Sequence, residues 1–334
     1  MKNESFCPGV RIGHAQNEEA LTGCTVILCE AGAVGGVDQR GGAPGTRETD
    51  ALHPMHLVER VHAIVLAGGS AFGLDAASGV VRYLEQKGVG FDVRVARVPI
   101  VPSAILFDLG LGRADIRPDA GMGYQACQNA TPKMPAEGNV GAGIGASVGK
   151  IFGMDHAMKS GIGCARLDIG GGVIVSAIVA VNAFGDIINP TNGEIIAGAR
   201  RRLPEKSEPH LGGDRENPFI NTLEAMKTLI GRTAMGFARR ENTVIGVVAT
   251  NARLNKEQIN KVAQMAQDGL ARSVRPAHTM LDGDTIFALS TGNKKADVNI
   301  VGAFAAEAFS QAIVRAVLTA RPLGGLPSAS SLRG

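Results

Sequence analysis

Apolar residues along this chain recur at two spacings, and the segments that carry them alternate. In the first half, short β-branched or small apolar runs at residues 24–29 and 63–66 end in glycine punctuation, the second of them in Gly68-Gly69-Ser70. A helical spacing then takes over across residues 74–86, so the pattern reads strand, turn, helix. Residues 138–150, GNVGAGIGASVGK, are glycine-rich, and a hairpin is predicted after them with its second strand over residues 173–184. These strands are apolar almost throughout, which predicts that both of their faces are covered.

Residues 199–218 turn polar and are expected to form an exposed connection. A helix is predicted over residues 222–237, after which Glu241-Asn242 leads abruptly into TVIGVVAT, a β-branched strand that opens on Thr243. Asn255 and Gln258 have the spacing of a capping box, and Ile259, Val262, Ala266 and Leu270 follow at helical intervals. A strand over residues 285–291 and a small-residue helix over residues 300–318 complete a strand, helix, strand, helix succession. The expected class is α/β, with helices laid outside sheets.

Composition narrows the function classes. With 334 residues, 45% of them hydrophobic, the chain can bury the core of one large domain, and residues 1–334 are read as a single unit. Its 45 glycines against 4% aromatics describe backbones packed close together with small side chains between them. The net charge of +3 is spread evenly, which gives no field to attract nucleic acid. The basic run at residues 200–202 reads as a solvated surface segment.

Five cysteines, Cys7, Cys24, Cys29, Cys127 and Cys164, show no Cys-x-x-Cys pairing, which argues against a disulfide framework and for a reducing compartment. The N-terminal residues lack an apolar signal core, and the apolar run at residues 173–183 is too short to cross a bilayer, so a soluble, cytoplasmic protein with no membrane partner is expected.

Several chemical motifs compete. Residues 141–150 resemble a phosphate loop, yet a Walker-type loop needs glycine at Ile144 and a hydroxyl at Ile151, so nucleotide binding is the remotest of the readings retained. His62, His156 and His278 lack the paired spacing of a zinc site, and no metal is expected. Ser70 in Gly69-Ser-Ala-Phe-Gly73 misses the nucleophile elbow by one position. Asp282-Gly283-Asp284 is an ordinary turn sequence, but two carboxylates so close repel, and burial would push their pKa values apart.

The junction of Asn242 and Thr243 offers the most specific chemistry. A carbonyl on a turn stands directly before a hydroxyl-bearing residue, the arrangement in which strain can drive attack on the preceding peptide bond. Hydrolysis of the ester so formed frees the Thr243 α-amine, whose pKa of about 7.7 to 8.0 makes it a general base built into the nucleophile.

Several blocks taken in order resemble the self-processing L-aminopeptidase/D-esterase family, which includes β-aminopeptidases and nylon-oligomer hydrolases. They are DQRGGAPGTRETD at 38–50, LAGGSAFGLDAA at 66–77, residues 141–150, VNAFG at 181–185, ENT at 241–243, VATN at 248–251 and HTMLDGDT at 278–285. The resemblance implies a four-layer αββα sandwich of the N-terminal-nucleophile type, related to that of ornithine acetyltransferase. It implies self-cleavage into an α-chain, 1–242, and a β-chain, 243–334, held in a homotetramer.

Among site residues the resemblance implies Thr243 as nucleophile, Lys150, Asn182 as oxyanion donor, and Asp282 and Asp284 as supporting carboxylates. Phe107, Ser70 and Gly143 are expected to contact substrate. Phe107 occupies the place where some members carry a tyrosine hydroxyl. The substrates implied are short peptides, β-amino-acid amides or 6-aminohexanoate oligomers, cleaved without a cofactor. Threonine with an aspartate pair looks most like the nylon-oligomer hydrolase branch, and an acyltransferase of the ornithine acetyltransferase type is the alternative.

Overall fold

The structure is a computed structural model and describes residues 4–201, 217–237 and 242–332. Strand Thr243–Ala252 shows how its layers arise. Successive side chains of a strand point to opposite faces, so Val244, Val248 and Ala252 join one core while Ile245, Val247 and Ala249 join another. Thr285–Lys294 repeats the division, with Ile286 and Ala288 on the first side and Phe287 and Leu289 on the second. Arg60–Ala67 sends Ile64 and Leu66 into that second core and Ala63, Val65 and Ala67 into a third.

Three apolar layers of this kind separate four structural layers. Helices Lys256–Ser273 and Val298–Leu318 cover the first core, helices Ala76–Gln86 and Ala120–Gln128 cover the third, and the second lies between two layers of strands. The α/β class and the αββα stacking expected from the sequence are therefore observed. The capping box is formed as well, with the Asn255 side chain accepting from the Gln258 N–H and the Gln258 side chain accepting from the Asn255 N–H.

The strand layers are one continuous sheet of nine strands among the described residues. The 18-residue strand Thr22–Gln39 joins them. Its first part pairs with Arg11–Asn17 and Arg60–Ala67, and its last part pairs antiparallel with Thr285–Lys294. The register breaks between Leu28 and Ala33, where Gly32 adopts a φ of 79°, a conformation open to glycine, and the strand turns from one layer into the other.

Two sequence expectations are altered. The helix predicted over residues 222–237 is two helices, Thr222–Lys227 and Leu229–Phe237. Thr228 divides them because its hydroxyl donates to Ala225 O and accepts from the Gly231 N–H, closing one helix while capping the next. Arg200 does not lie free in solvent: its guanidinium donates to the carbonyls of Ala157 and Asp155. Much of the exposed connection, residues 202–216, lies outside the described residues, as does Glu241.

Helix Val298–Leu318 is long and apolar enough to cross a bilayer by composition, a feature the reading of residues 173–183 overlooked. Its residues Val301, Ala305, Phe309, Ala312 and Ala316 are buried against the sheet, so it serves as a core helix here.

Candidate active site

Three neighbouring strand ends bring the candidate residues together. Thr243 begins its strand in register with Asn182, the last residue of the antiparallel strand Ile174–Asn182. On the other side the parallel strand Thr285–Lys294 pairs with Thr243–Ala252, and Asp284 immediately precedes it. Thr243 and Asn242 are both buried, at 4% and 3% exposure. The peptide bond between them is thus inside the protein, at a sheet end flanked by polar side chains.

The Thr243 hydroxyl donates to the carbonyl oxygen of Asn242, its own neighbour. That oxygen also accepts the Gly283 N–H at 2.9 Å. Asp284 fixes the strand entrance: Oδ1 accepts the Val244 N–H at 2.9 Å, and Oδ2 accepts the His278 N–H at 3.1 Å and lies 2.9 Å from His278 Nδ1. Asp282 is bridged to Asn242 through the backbone, and its carboxylate accepts both the N–H and the hydroxyl of Thr279. Burial, and then repulsion from Asp284, pushes the Asp282 carboxyl up to about 6.

Lys150 reaches this centre from the glycine-rich segment. Gly149 has a φ of +73° and passes so close to Gly198 and Ala199 that a Cβ would lie about 2.1 Å from backbone atoms, a position only glycine can fill. The next residue's ammonium then donates to Asn182 O at 3.0 Å and Asn182 Oδ1 at 2.9 Å. Asn182 Oδ1 also accepts the Ser147 N–H at 3.0 Å, while Nδ2 donates to Phe107 O at 2.8 Å. Asn182 is held from both ends of its amide, which fixes its rotamer. Phe107 acts in this through its carbonyl, so the missing tyrosine hydroxyl does not disturb the orientation of Asn182.

The segment is not built as a phosphate loop. Gly141–Gly143 forms a single 3-10 turn, Ser147–Val148 pairs with Met158–Lys159, and turns rather than a helix follow Lys150. Its lysine faces Asn182, whereas a phosphate loop leads from a strand into a helix N-terminus.

A narrow cleft lined by Phe107, Gly110, Leu111, Ser147, Lys150 and Met154 opens beside Asn182. Ser70 and Gly143 stand apart from its lining. Ser70 holds a turn at φ 54° and donates its N–H to Leu106 O. Gly143 is buried, with room for a Cβ closed off by the Ile162 nitrogen at 2.3 Å.

Two charged residues escaped the sequence reading: Lys159, behind the site, and Asp108, on the lining of the cleft. Lys159 is wholly buried and donates to the carbonyls of Ala146 at 2.6 Å and Ser160 at 2.7 Å. Burial pulls its ammonium down to about 7, against the attraction of Asp108. Asp108 accepts the Gly69 N–H at 2.7 Å and the Thr22 hydroxyl at 2.8 Å, and burial pushes its carboxyl up to about 6. Lys159 stands in the run Ala157-Met-Lys-Ser-Gly-Ile162, and a lysine set among small and apolar residues is the one signal that marked it.

The model of peptidase family S58 matches residues 7–329 of this chain. The chain belongs to that family. An uncharacterized aminopeptidase of Mycobacterium tuberculosis (strain ATCC 25618 / H37Rv) is 39% identical over 350 residues, covering 96% of this chain and 94% of the relative. A 6-aminohexanoate-oligomer endohydrolase of Kocuria sp. (strain KY2) is 32% identical over 323 residues, 92% of this chain and 84% of that enzyme.

Among solved structures, the Burkholderia sp. beta-aminopeptidase superposes with a TM-score of 0.68 at 20% identity, over 100% of this chain and 93% of that one. The L-aminopeptidase D-ala-esterase/amidase of Ochrobactrum anthropi, described as a variant of the Ntn hydrolase fold, gives 0.69 at 17% identity, over 98% and 92%. These likenesses establish the fold. Membership of the S58 family makes the chain a hydrolase of amide bonds.

Proposed function

We propose that this S58 protein is a precursor that cleaves itself between Asn242 and Thr243, and that Thr243 is then its catalytic nucleophile. The observation that carries the reading is the buried Thr243 hydroxyl set against the carbonyl of the residue before it, at a strand end that also gathers Asn182, Lys150 and Asp284. Residues 1–242 and 243–334 then form one site from two chains. Neither chain holds all of it.

In turnover, Thr243 Oγ1 attacks the substrate carbonyl and the free Thr243 amine takes the hydroxyl proton. The Asn182 side-chain amide, held beside the reacting centre, donates to the developing oxyanion. The amine returns its proton to the leaving nitrogen, and water releases the acyl group from Thr243. Asp284 holds the strand entrance and Asp282 faces the new ammonium, while Lys150 places positive charge on Asn182.

Lys150→Met tests the last role. It removes two hydrogen bonds to Asn182 and the adjoining charge, so kcat is expected to fall by about 10²-fold with KM nearly constant. Steady-state kinetics check this, and an unchanged kcat returns Lys150 to a structural role.

The raised pKa of Asp282 predicts a pH dependence. In the uncleaved chain a carboxyl that titrates at about 6 holds its proton below that pH, and the new ammonium lowers it after cleavage, so turnover should fall as pH drops through an inflection at or below about 6. It should rise again as the Thr243 amine loses its proton near 7.7 to 8.0. In a pH–rate profile Asp282→Asn is expected to erase the lower inflection alone. Persistence of both inflections would remove Asp282 from the mechanism.

The related endohydrolase and aminopeptidases support three classes of amide substrate: short peptides, β-amino-acid amides or 6-aminohexanoate oligomers. Measuring products of each class with and without an added acceptor amine assigns the substrate. It also separates hydrolysis from acyl transfer, because an acyltransferase gives the new amide only when acceptor is present. The assembly proposed is a cytoplasmic homotetramer, tested by light scattering of the cleaved protein.

A further inference from the structure

We infer that the backbone N–H of Gly283 is the oxyanion donor of the self-cleavage step, a role separate from that of Asn182 in turnover. The inference rests on the proposal that Thr243 attacks Asn242. Gly283 N lies 2.9 Å from the Asn242 carbonyl oxygen, the atom on which negative charge develops when the Thr243 oxygen adds to that carbonyl. Asn182 Nδ2 is instead turned to Phe107 O. In this assignment the internal carbonyl takes its hydrogen bond from Gly283 and the substrate carbonyl from Asn182.

The donor is fixed in advance, which is the condition for an oxyanion hole to be effective. Gly283 sits between two anchored residues: Asp282 O accepts the Ala43 N–H at 2.9 Å, and Asp284 O accepts the Arg40 N–H at 3.1 Å. Their carboxylates are tied as well, to Thr279 and to Val244 and His278. The peptide carrying the donor is gripped on both sides. Two carboxylates beside a nascent oxyanion would oppose its formation, so a donor aimed at that oxygen has a large effect.

Glycine is required at this position by space. A Cβ on residue 283 would lie 2.6 Å from Ala43 O and 2.9 Å from Thr243 Oγ1. The second of these atoms is the attacking oxygen. Any side chain would press on the nucleophile or displace the donor.

The step balances as follows. Thr243 Oγ1 bonds to the Asn242 carbonyl carbon, the carbon–nitrogen bond to Thr243 breaks, and the hydroxyl proton ends on the freed nitrogen. Water then hydrolyses the ester, giving the Asn242 carboxylate and regenerating the Thr243 hydroxyl.

The test replaces Gly283 with glycolic acid in the full chain, exchanging N–H for O while adding no side chain, and follows cleavage by denaturing mass spectrometry. Cleavage is expected to slow by about 10²- to 10³-fold. The unfolding midpoint of the same replacement in the uncleavable Thr243→Ala chain separately reports the ordinary loss of a hydrogen bond.

Wild-type chain that cleaves alongside an ester variant of equal rate overturns the donor assignment alone. Wild-type chain that never cleaves overturns the self-cleavage reading and this inference with it. Should the ester variant not fold, a thioamide at the peptide bond between Asp282 and Gly283 decides, because it makes that N–H a stronger donor and adds no Cβ: faster cleavage supports the assignment, and a rate no faster than wild type overturns it.

Discussion

Thr243→Ala is expected to remain a single uncleaved chain whose amide hydrolysis is reduced on the order of 10⁴-fold or more. The substitution removes the hydroxyl that lies on the Asn242 carbonyl, so the internal peptide bond has no nucleophile. Without cleavage there is no free α-amine either, and the general base is lost along with the nucleophile. Two catalytic groups vanish through one side chain. The fold should survive, because the hydrogen bond lost is to the adjacent residue and the cost to the strand is about 1 kcal/mol or less.

Thr243→Ser sharpens the result. Serine retains the hydroxyl, so the Thr243→Ser chain should still cleave and should keep turnover within about tenfold. Cleavage followed by denaturing electrophoresis, with hydrolysis assayed on the same samples, checks both variants. Normal processing in Thr243→Ala removes this residue from the chemistry.

Asp284→Ala is expected to have the next largest effect, and it acts on stability and catalysis together. Its carboxylate is the acceptor for two backbone donors, the buried Val244 N–H and the part-buried His278 N–H, and meets the His278 ring. Leaving the buried Val244 donor without a partner costs about 1 to 3 kcal/mol and the part-buried His278 donor about 1 kcal/mol, so roughly 2 to 4 kcal/mol should be lost from unfolding free energy. That is a large share of the 5 to 15 kcal/mol typical of a folded domain.

The strand entrance would also loosen beside the reacting atoms, and a shift of about 1 Å there can lower the rate by about 10²-fold. Asp284→Asn keeps an acceptor oxygen for Val244, and should recover most of the stability while cleavage stays slow. Chemical denaturation and cleavage kinetics separate the two effects. Equal stability of all three proteins would mean that Asp284 does not hold the strand entrance.

What the sequence made legible was local. The capping box at Asn255, the β-branched strand opening on Thr243 and the apolar strand ending at Asn182 all follow from neighbours within a few positions. The family resemblance named the partners of Thr243, but which atoms meet depends on register between strands far apart in sequence. Asn182 stands opposite Thr243 only because the antiparallel pairing is set that way, and a slip of one residue would have turned it to the other face.

Other features left little trace in residue type. The Gly283 N–H is a backbone group, and nothing in Asp-Gly-Asp says which carbonyl it meets. Lys159 is buried against expectation because three backbone carbonyls, of Gly143, Ala146 and Ser160, gather around its ammonium. The bend at Gly32 that makes one sheet out of two layers also depends on what packs on each side. Thr228 was readable in principle, since threonine caps helices, but it stands inside an otherwise continuous helical pattern.

The intact mass of the purified protein under denaturing conditions tests the central claim most directly. Two species whose masses meet between Asn242 and Thr243, with both needed for amide hydrolysis, are the predicted result. A single full-length chain that nevertheless hydrolyses amides would contradict it.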